Sequence, residues 1–333
     1  MAINRISIEN FTVFDKIELD FCNGINVFIG ENGTGKTHLL KILYAYCGCG
    51  HRTQHKSFDL SLTDCFRTDN ILSLIRHVNS ISIYPLSISV TDTSGKAVGY
   101  GVSSGSKSSS SISGEKQSIP AIYIPAKDML THGGLEKDYI DRNLPFDITL
   151  IDILNKAGVS TIKKLPEDKL AVLNRIARII DGKILYKNDR YYTEKSDGTL
   201  IDFAAEAEGF KKLGLLYRLI ETGHLEKGNA LIWDEPEANL NPKLIPFLVD
   251  VLLSLEQAGV QMFLATHDYF FAKYLELKKA ADSNVVFHSL YKNENDEDRV
   301  YHESAYQFTS LENNKIISEQ FNLYQVEVKK VLG

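Results

Sequence analysis

An α/β fold built on a mostly parallel sheet is what this sequence predicts, on three observations. An apolar, β-branched run, Ile25-Asn26-Val27-Phe28-Ile29, leads straight into a glycine-rich turn and then a helical pattern. Residues 230–289 alternate strand and helix as βαβαβ, the signature of a parallel sheet. The chain has 333 residues, 44% hydrophobic and 24% charged, enough for one large domain or two ordinary ones with a sizeable core. These figures exclude a wholly disordered or collagen-like chain. A net charge of −6 excludes a globally basic nucleic-acid binder, though not a local basic patch. No run approaches the ~18 apolar residues of a membrane span. The first ten residues lack the basic stretch and apolar core of a secretory signal. Four cysteines make no disulfide framework, so reduced thiols in a cytoplasmic protein with no membrane contact are expected.

The elements follow in order. Ile6 and Ile8, then Ile17, Leu19 and Phe21, are apolar at every second position, which predicts two strands. The buried strand stops at Gly30, and from Thr37 the residues Leu39, Leu40, Ile42, Leu43 and Tyr46 share one side of a helix. Ile81, Ile83, Leu86, Ile88 and Val90 alternate as a strand or hairpin. Residues 91–118 are dominated by Ser, Gly, Lys and Thr, and Val102–Ser118 has almost no apolar content, so a mobile loop or hairpin tip is expected there. A buried strand resumes at Ala121–Ile124. Residues 128–182 read as helical, and Ile184–Phe203 as strands with turns at Asn188-Asp189 and Asp197-Gly198. Helix Phe210–Glu221 leads into strand Ala230–Trp233, helix Pro242–Leu255, strand Gln261–Ala265, helix Tyr269–Leu277 and strand Asn284–Ser289, with a final amphipathic helix over Asn314–Leu332.

The segment Gly30-Glu31-Asn32-Gly33-Thr34-Gly35-Lys36-Thr37 fits G-x-x-x-x-G-K-[ST] between a strand and a helix. Its glycines let successive backbone N–H groups turn inward on phosphate oxygens, and the helix N-terminus faces the same anion. Lys36 is then placed on the β- and γ-phosphates, and the Thr37 hydroxyl becomes a Mg²⁺ ligand. Strand Leu231-Ile232-Trp233 ends in Asp234-Glu235. Asp234 can hold the Mg²⁺ shell and Glu235 can polarise a water in line with the γ-phosphate; alone, the pair would read as a solvated acidic turn. Strand Phe263-Leu264-Ala265 ends in Thr266-His267-Asp268, where His267 can reach the γ-phosphate or merely cap the next helix.

This order of motifs resembles the ABC-type ATPase heads, and within them the OLD-like branch related to SMC and RecF heads. The resemblance rests on Asn10-Phe11, on Gly24 to Thr37 and on Asp234-Glu235-Pro236-Glu237-Ala238-Asn239-Leu240-Asn241-Pro242; it covers residues 51–205 only in order. It implies a P-loop NTPase of ABC-ATPase type, with a mostly parallel central sheet, an antiparallel β part and a helical insertion. The parts would be 1–125, carrying the phosphate loop, 126–205, the insertion with a short hairpin region, and 206–333, carrying the remaining motifs. It also implies ATP and Mg²⁺ as ligands, slow ATP hydrolysis, and a homodimer that sandwiches ATP between one protomer's phosphate loop and the other's signature motif, here matched by Ala207-Glu208-Gly209. That signature lacks the serine and one glycine of the family pattern; Gly209 and the helix start remain as donors, with Lys211 or Lys212 to offset Glu208. No Gln occupies the family's glutamine-loop place at Pro125-Ala126-Lys127-Asp128. Phe11 and Phe14 are candidates either for adenine stacking or for the core.

Cys47-Gly48-Cys49-Gly50-His51 with His55 and Cys65 invites a zinc reading, but C-x-C is not zinc-ligand spacing and a buried thiol at a helix end is the expectation. Lys96, Lys107 and Lys116 in the Ser-rich stretch could touch nucleic acid or simply be solvated. About 65 residues follow His267, with no second cluster of metal-binding acids, so no nuclease domain is expected in this chain. Stand-alone heads of this branch resemble ATPase subunits of prokaryotic anti-phage defence systems. The resemblance therefore implies a sensor or regulatory ATPase working with a separate effector such as a nuclease, with a larger assembly left open. A RecF- or SMC-like ATPase in DNA repair or DNA binding is the alternative; DNA contact stays open.

Overall fold

The computed structural model describes residues 1–48, 57–78, 81–82, 84–103, 109–114, 119–139, 142, 144–159, 164–293 and 295–332. In chain order these carry β1 (Ile3–Phe11), β2 (Phe14–Asp20), β3 (Ile25–Gly30), α1 (Lys36–Cys47) and α2 (Phe58–Phe66). Then come β4 (His77–Val78), β5 (Ile81–Ser82), β6 (Leu86–Asp92), β7 (Ala97–Ser103), β8 (Ser109–Ser113) and β9 (Ala121–Ile124). A helical stretch, α3 (Leu135–Asp138), α4 (Ile148–Ala157) and α5 (Glu167–Ile180), is followed by β10 (Gly182–Lys187), β11 (Arg190–Lys195) and β12 (Leu200–Asp202). The last third is α6 (Glu208–Glu221), β13 (Ala230–Asp234), α7 (Ile245–Gln257), β14 (Gln261–Thr266), α8 (Tyr269–Lys278), β15 (Val285–Asn293), β16 (Asp296–Ala305) and α9 (Lys315–Leu332).

The central sheet has six strands in the order β16-β15-β3-β14-β13-β9, parallel except for the edge strand β16. Its inner strands are buried on both faces, which is why they read as unbroken apolar runs. Alternate residues divide between two cores. Val27, Ile29, Leu231, Trp233 and Leu264 face the layer made by α4, α5, α6 and α7. Phe28, Ile232, Phe263 and Ala265 face α1, α2 and the five-stranded antiparallel sheet β2-β1-β6-β7-β8. This parity matters for the site: Asp234 follows Trp233, so its side chain emerges on the α1 side.

Polar pins join the layers. The Gln261 side chain accepts from Ile3 N at 2.8 Å and donates to Ile3 O at 2.7 Å and Cys22 O at 2.9 Å, fixing β1 to the parallel sheet. Lys41 of α1 pairs with Asp147 at 2.8 Å, which itself caps α4. Lys156 of α4 binds Asp152 at 2.5 Å and the Ala121 carbonyl at 2.6 Å. The helical stretch is thus tied to the first helix and to β9 by groups that burial strengthens.

Of the two expectations for 91–118, a loop or a hairpin tip, the described residues form a hairpin: β7 continues to Ser103 and β8 pairs with it from Gly99↔Ser113 to Ser103↔Ser109. An edge strand needs only the backbone ladder of its neighbour, so low apolar content does not forbid it. Lys96 lies exposed in the preceding turn, whereas Lys107 and Lys116 fall outside the described residues. Cys47 ends α1 as a buried side chain; Cys49, His51 and His55 of the zinc reading also lie outside them. Phe11 and Phe14 are fully buried in the second core, Phe11 edge-on to Phe66 at 5.4 Å, so neither offers a face for stacking.

Trp233 is the only tryptophan and has no solvent-exposed surface. Its emission is expected to be blue-shifted and resistant to acrylamide quenching in the native protein, shifting red on unfolding. A native spectrum like that of free tryptophan would contradict this packing.

Candidate functional site

The phosphate loop is shaped by two close approaches. Gly30 has φ 146°, and a Cβ there would lie 2.1 Å from the Leu290 carbonyl oxygen of β15. Gly35, at the start of α1, has φ 91°, and a Cβ would lie 2.5 Å from the Phe14 ring. No other residue type fits either place without moving backbone or a buried ring. Between them Glu31, Asn32 and Gly33 form an exposed crest, so they can present backbone N–H groups. Thr34 is buried and donates its hydroxyl to Glu31 O at 2.9 Å, closing the turn. The Lys36 ammonium sits inside the bowl, donating to Gly30 O at 2.7 Å and Glu31 O at 2.9 Å. Burial lowers its pKa, while Glu235 and Asp234 nearby oppose that fall.

Thr37 Oγ1 donates to Asp234 Oδ2 at 2.8 Å, joining the first turn of α1 to the end of β13. Burial raises the Asp234 pKa and the Thr37 hydroxyl opposes the rise. A buried carboxylate beside a hydroxyl, with a lysine close by, is a set of hard oxygen donors suited to Mg²⁺. Glu235 leaves the strand with φ 53°, a left-handed conformation that a non-glycine residue adopts only when held. It is held from three sides. Its N–H donates to Ala265 O at 2.9 Å, its carbonyl accepts from Lys212 Nζ at 2.5 Å, and its carboxylate accepts from His267 Nδ1 at 2.7 Å. That last bond requires the proton on Nδ1, leaving Nε2 free to face a ligand.

Glu237 is the residue that sequence reasoning passed over. It is 7% exposed, and its Oε1 accepts from the Thr266 hydroxyl at 2.7 Å, tying the turn after β13 to the end of β14. Burial pushes its carboxyl up to about 7, and the charges of Asp268 and Glu235 push the same way. Lys212 beside it is 8% exposed, and burial brings its pKa down to about 8 against the pull of Glu237, Glu235 and Asp234. The one local signal was a second glutamate two positions after Glu235, in the turn that follows β13. One ligand atom from each of Glu235, Glu237 and His267 falls within 4.8 Å of the others, a second group of metal-ligand type. Glu235 and His267 already satisfy each other there, so the Thr37–Asp234 oxygens are the better seat for a hard cation.

The structure thus brings Lys36, Thr37, Asp234, Glu235 and His267 to one edge of the central sheet. Gly209 is elsewhere: at the start of α6 it packs on the turn after β13, where a Cβ would meet Asn239 O at 3.4 Å and Leu240 Cα at 3.7 Å. Glu208 next to it pairs with Lys211 at 2.7 Å. Asp128 caps the turn at Leu130 with a 3.0 Å bond from its N–H and lies 4.0 Å from Lys211. Those contacts direct Asp128 toward α6 rather than toward the phosphate loop.

The Glu237 shift carries a sign. A carboxyl whose folded pKa stands above its ordinary 4.5 gives stability that is complete below that pH and lost as pH rises through about 7. Glu237→Gln is therefore expected to gain stability relative to the wild type between pH 5 and pH 8, by at most about 3 kcal/mol. Thermal melts at both pH values read this directly; a stability difference that does not change with pH would contradict it.

Comparison with known proteins fits this geometry. The family model described as "AAA domain, putative AbiEii toxin, Type IV TA system" matches residues 86–272, more than half of the chain. A protein named DNA replication and repair protein RecF from Cytophaga hutchinsonii is 49% identical over 47 residues, which is 14% of this chain and 12% of that protein. One of the same name from Colwellia psychrerythraea is 30% identical over 83 residues, 25% of this chain and 21% of that protein. The chain therefore covers only a small part of these curated relatives. A solved SMC head bound to the C-winged helix domain of ScpA superposes with a TM-score of 0.61 at 12% identity, covering 92% of this chain and 98% of that one. The SMC head domain from Thermotoga maritima gives 0.52 at 10% identity, with 92% and 99% covered. No helix among the described residues is long and apolar enough to cross a membrane. With the phosphate loop and the Asp234-Glu235 strand at one sheet edge, this chain belongs to the AAA-domain family so described, and it has the fold of an SMC head.

Proposed function

We propose that this chain binds ATP with Mg²⁺ at the Gly30–Thr37 loop and hydrolyses it as a homodimer, acting as the regulatory ATPase of a prokaryotic anti-phage defence system with a separate effector such as a nuclease. The observation that carries the ATPase part is the 2.8 Å Thr37–Asp234 bond, with the Glu235–His267 pair one residue further on. Gly30, Glu31, Asn32, Gly33, Thr34 and Gly35 cradle the phosphates through backbone N–H groups. Lys36 exchanges its loop carbonyl partners for β- and γ-phosphate oxygens, keeping its hydrogen bonds while gaining charge neutralisation. Thr37 and Asp234 are the residues that would hold Mg²⁺, whose chemistry when bound is to offset charge on the phosphate oxygens.

Glu235 accepts a proton from the attacking water, and His267, oriented by Glu235, turns its other ring nitrogen toward the γ-phosphate. Gly209 and the N-terminus of α6 face the γ-phosphate of the partner protomer. On this reading residues 1–125 and 206–333 make the nucleotide-binding part and 126–205 the insertion, and the protein works in the cytoplasm. The toxin–antitoxin wording of the family description supports the defence role. The second reading, a RecF- or SMC-like ATPase acting on DNA, is favoured by the curated relatives' name. Turnover measured with and without duplex DNA separates them: strong stimulation favours the second reading, and none favours the first.

Lys36→Ala is expected to cost at least about 3 kcal/mol of ATP affinity, or more than about 100-fold, because it removes the one cation in the loop. Unchanged affinity by calorimetry would remove the loop from the nucleotide site.

Glu235→Gln keeps the shape of the side chain but cannot take the water's proton. Binding should persist, turnover should drop about 10²–10⁴-fold, and ATP should trap the dimer in light scattering. Turnover at the wild-type rate would move the base to another group. A Cβ at Gly209 meets only ordinary contacts within its own chain, so Gly209→Arg should fold and bind ATP yet fail to dimerise. Dimerisation as in the wild type would show that α6 does not form the contact.

A further inference from the structure

Lys212 is a buried cation that the hydrolytic reading does not use. Its ammonium donates to Glu235 O at 2.5 Å and reaches Pro236 O at 3.4 Å, both on the turn that aims the Glu235 side chain. The turn is strained. Glu235 is left-handed at φ 53° and Asn239 at φ 62°, so two non-glycine residues within five positions are held off their preferred conformations. The Glu235 carbonyl also accepts from Ala238 N at 3.2 Å inside the turn, so the ammonium is its second and shorter donor, and the one that ties it to α6. The carboxylates of Glu237, Glu235 and Asp234 keep the ammonium charged despite its burial.

The position of Lys212 along α6 adds a direction to this contact. It lies one helical turn inside Gly209, and Gly209 packs on Asn239 and Leu240 at the far end of the same turn. The N-terminal turn of α6 therefore grips the Glu235–Leu240 segment at both ends. A single helical turn moves as a rigid unit, so any shift of the α6 N-terminus is delivered to the Glu235 backbone.

We propose that Lys212 is a positioning residue that couples the α6 N-terminus to Glu235, so that engagement of the partner's triphosphate at Gly209 sets the hydrolytic carboxylate of the engaging protomer. The inference rests on the ATP-sandwiched dimer argued above. It makes each site's turnover depend on the neighbouring site's occupancy through a path within one chain.

Lys212→Met and Lys212→Arg test it in the full-length protein. Lys212→Met should leave ATP affinity by calorimetry within about twofold of the wild type and lower kcat at least tenfold. In a Glu235→Gln background it should leave ATP-driven dimerisation intact. Lys212→Arg, whose guanidinium can donate to the same two carbonyls, should recover a substantial part of kcat. A merely structural lysine would lower affinity, dimerisation and melting temperature together, and that pattern overturns the inference. So does a folded Lys212→Met with wild-type kcat. Should Lys212→Met not fold, Lys212→Gln, which keeps an N–H donor group without the charge, carries the same affinity-against-kcat comparison. Failure of the underlying reading looks different: the wild type itself would neither turn over ATP nor dimerise with it, and the inference would fall with it.

Discussion

The hydrogen bond from Thr37 to Asp234 joins residues 197 positions apart, and the rest of the molecule is arranged so that it can form. β3 and β13 are not neighbours; β14 lies between them, so all three strands must run parallel and end level. Their carboxyl ends then form one edge, and the loop after β3 lies over the acids after β13. Side-chain alternation finishes the placement. Trp233 anchors β13 into the helical core, and the next residue is thereby turned toward α1, where Thr37 waits.

Around that bond, strain and burial sit where chemistry needs them. The phosphate loop depends on Gly30 and Gly35, pressed against Leu290 and Phe14. The opposite wall depends on Glu235, a non-glycine residue kept left-handed by bonds from β14, α6 and His267. Such a conformation costs of order 1 kcal/mol or more and persists only because its surroundings over-determine it. Buried charge is handled in the same way: Lys36, Lys212, Asp234 and Glu237 are each nearly excluded from water, and each is shifted toward its neutral form. Opposite charges nearby hold the two lysines back from neutrality, and the arrangement concentrates them along the edge where a polyphosphate would lie.

The antiparallel sheet and the helical stretch flank this edge without contributing to it directly. Gln261 locks the first to β14, and Lys41 and Lys156 lock the second to α1 and β9. Phe21, edge-on to Phe28, Phe263 and His288, fills the seam between the antiparallel and parallel sheets. His288 is pushed down to about 3 by burial, so it serves there as a neutral ring rather than as a titrating group.

The sequence by itself determined the class of fold and named most residues of the candidate site. Periodicity marked β3, α1, β13, α7 and β14 because elements buried on one or both faces leave an apolar pattern in the chain. The loop motif and the Asp-Glu strand end were legible for a related reason: each packs its chemistry into a few consecutive residues whose local geometry is set by glycine or by strand termination. The tertiary structure decided what depends on partners distant in sequence. β8 left no apolar pattern in the chain, because an edge strand of serines needs only the backbone ladder of β7 to form. Asp128 lies where no glutamine was found, and its place beside Lys211 follows from how the helical stretch docks on α6. Glu237 and Lys212 gave little local signal, since a buried carboxylate and a buried ammonium acquire their character from Thr266 and from the Glu235 carbonyl across the fold. Local pattern records burial and turn chemistry; which buried charge meets which backbone group is settled only when the strands and helices close around the sheet edge.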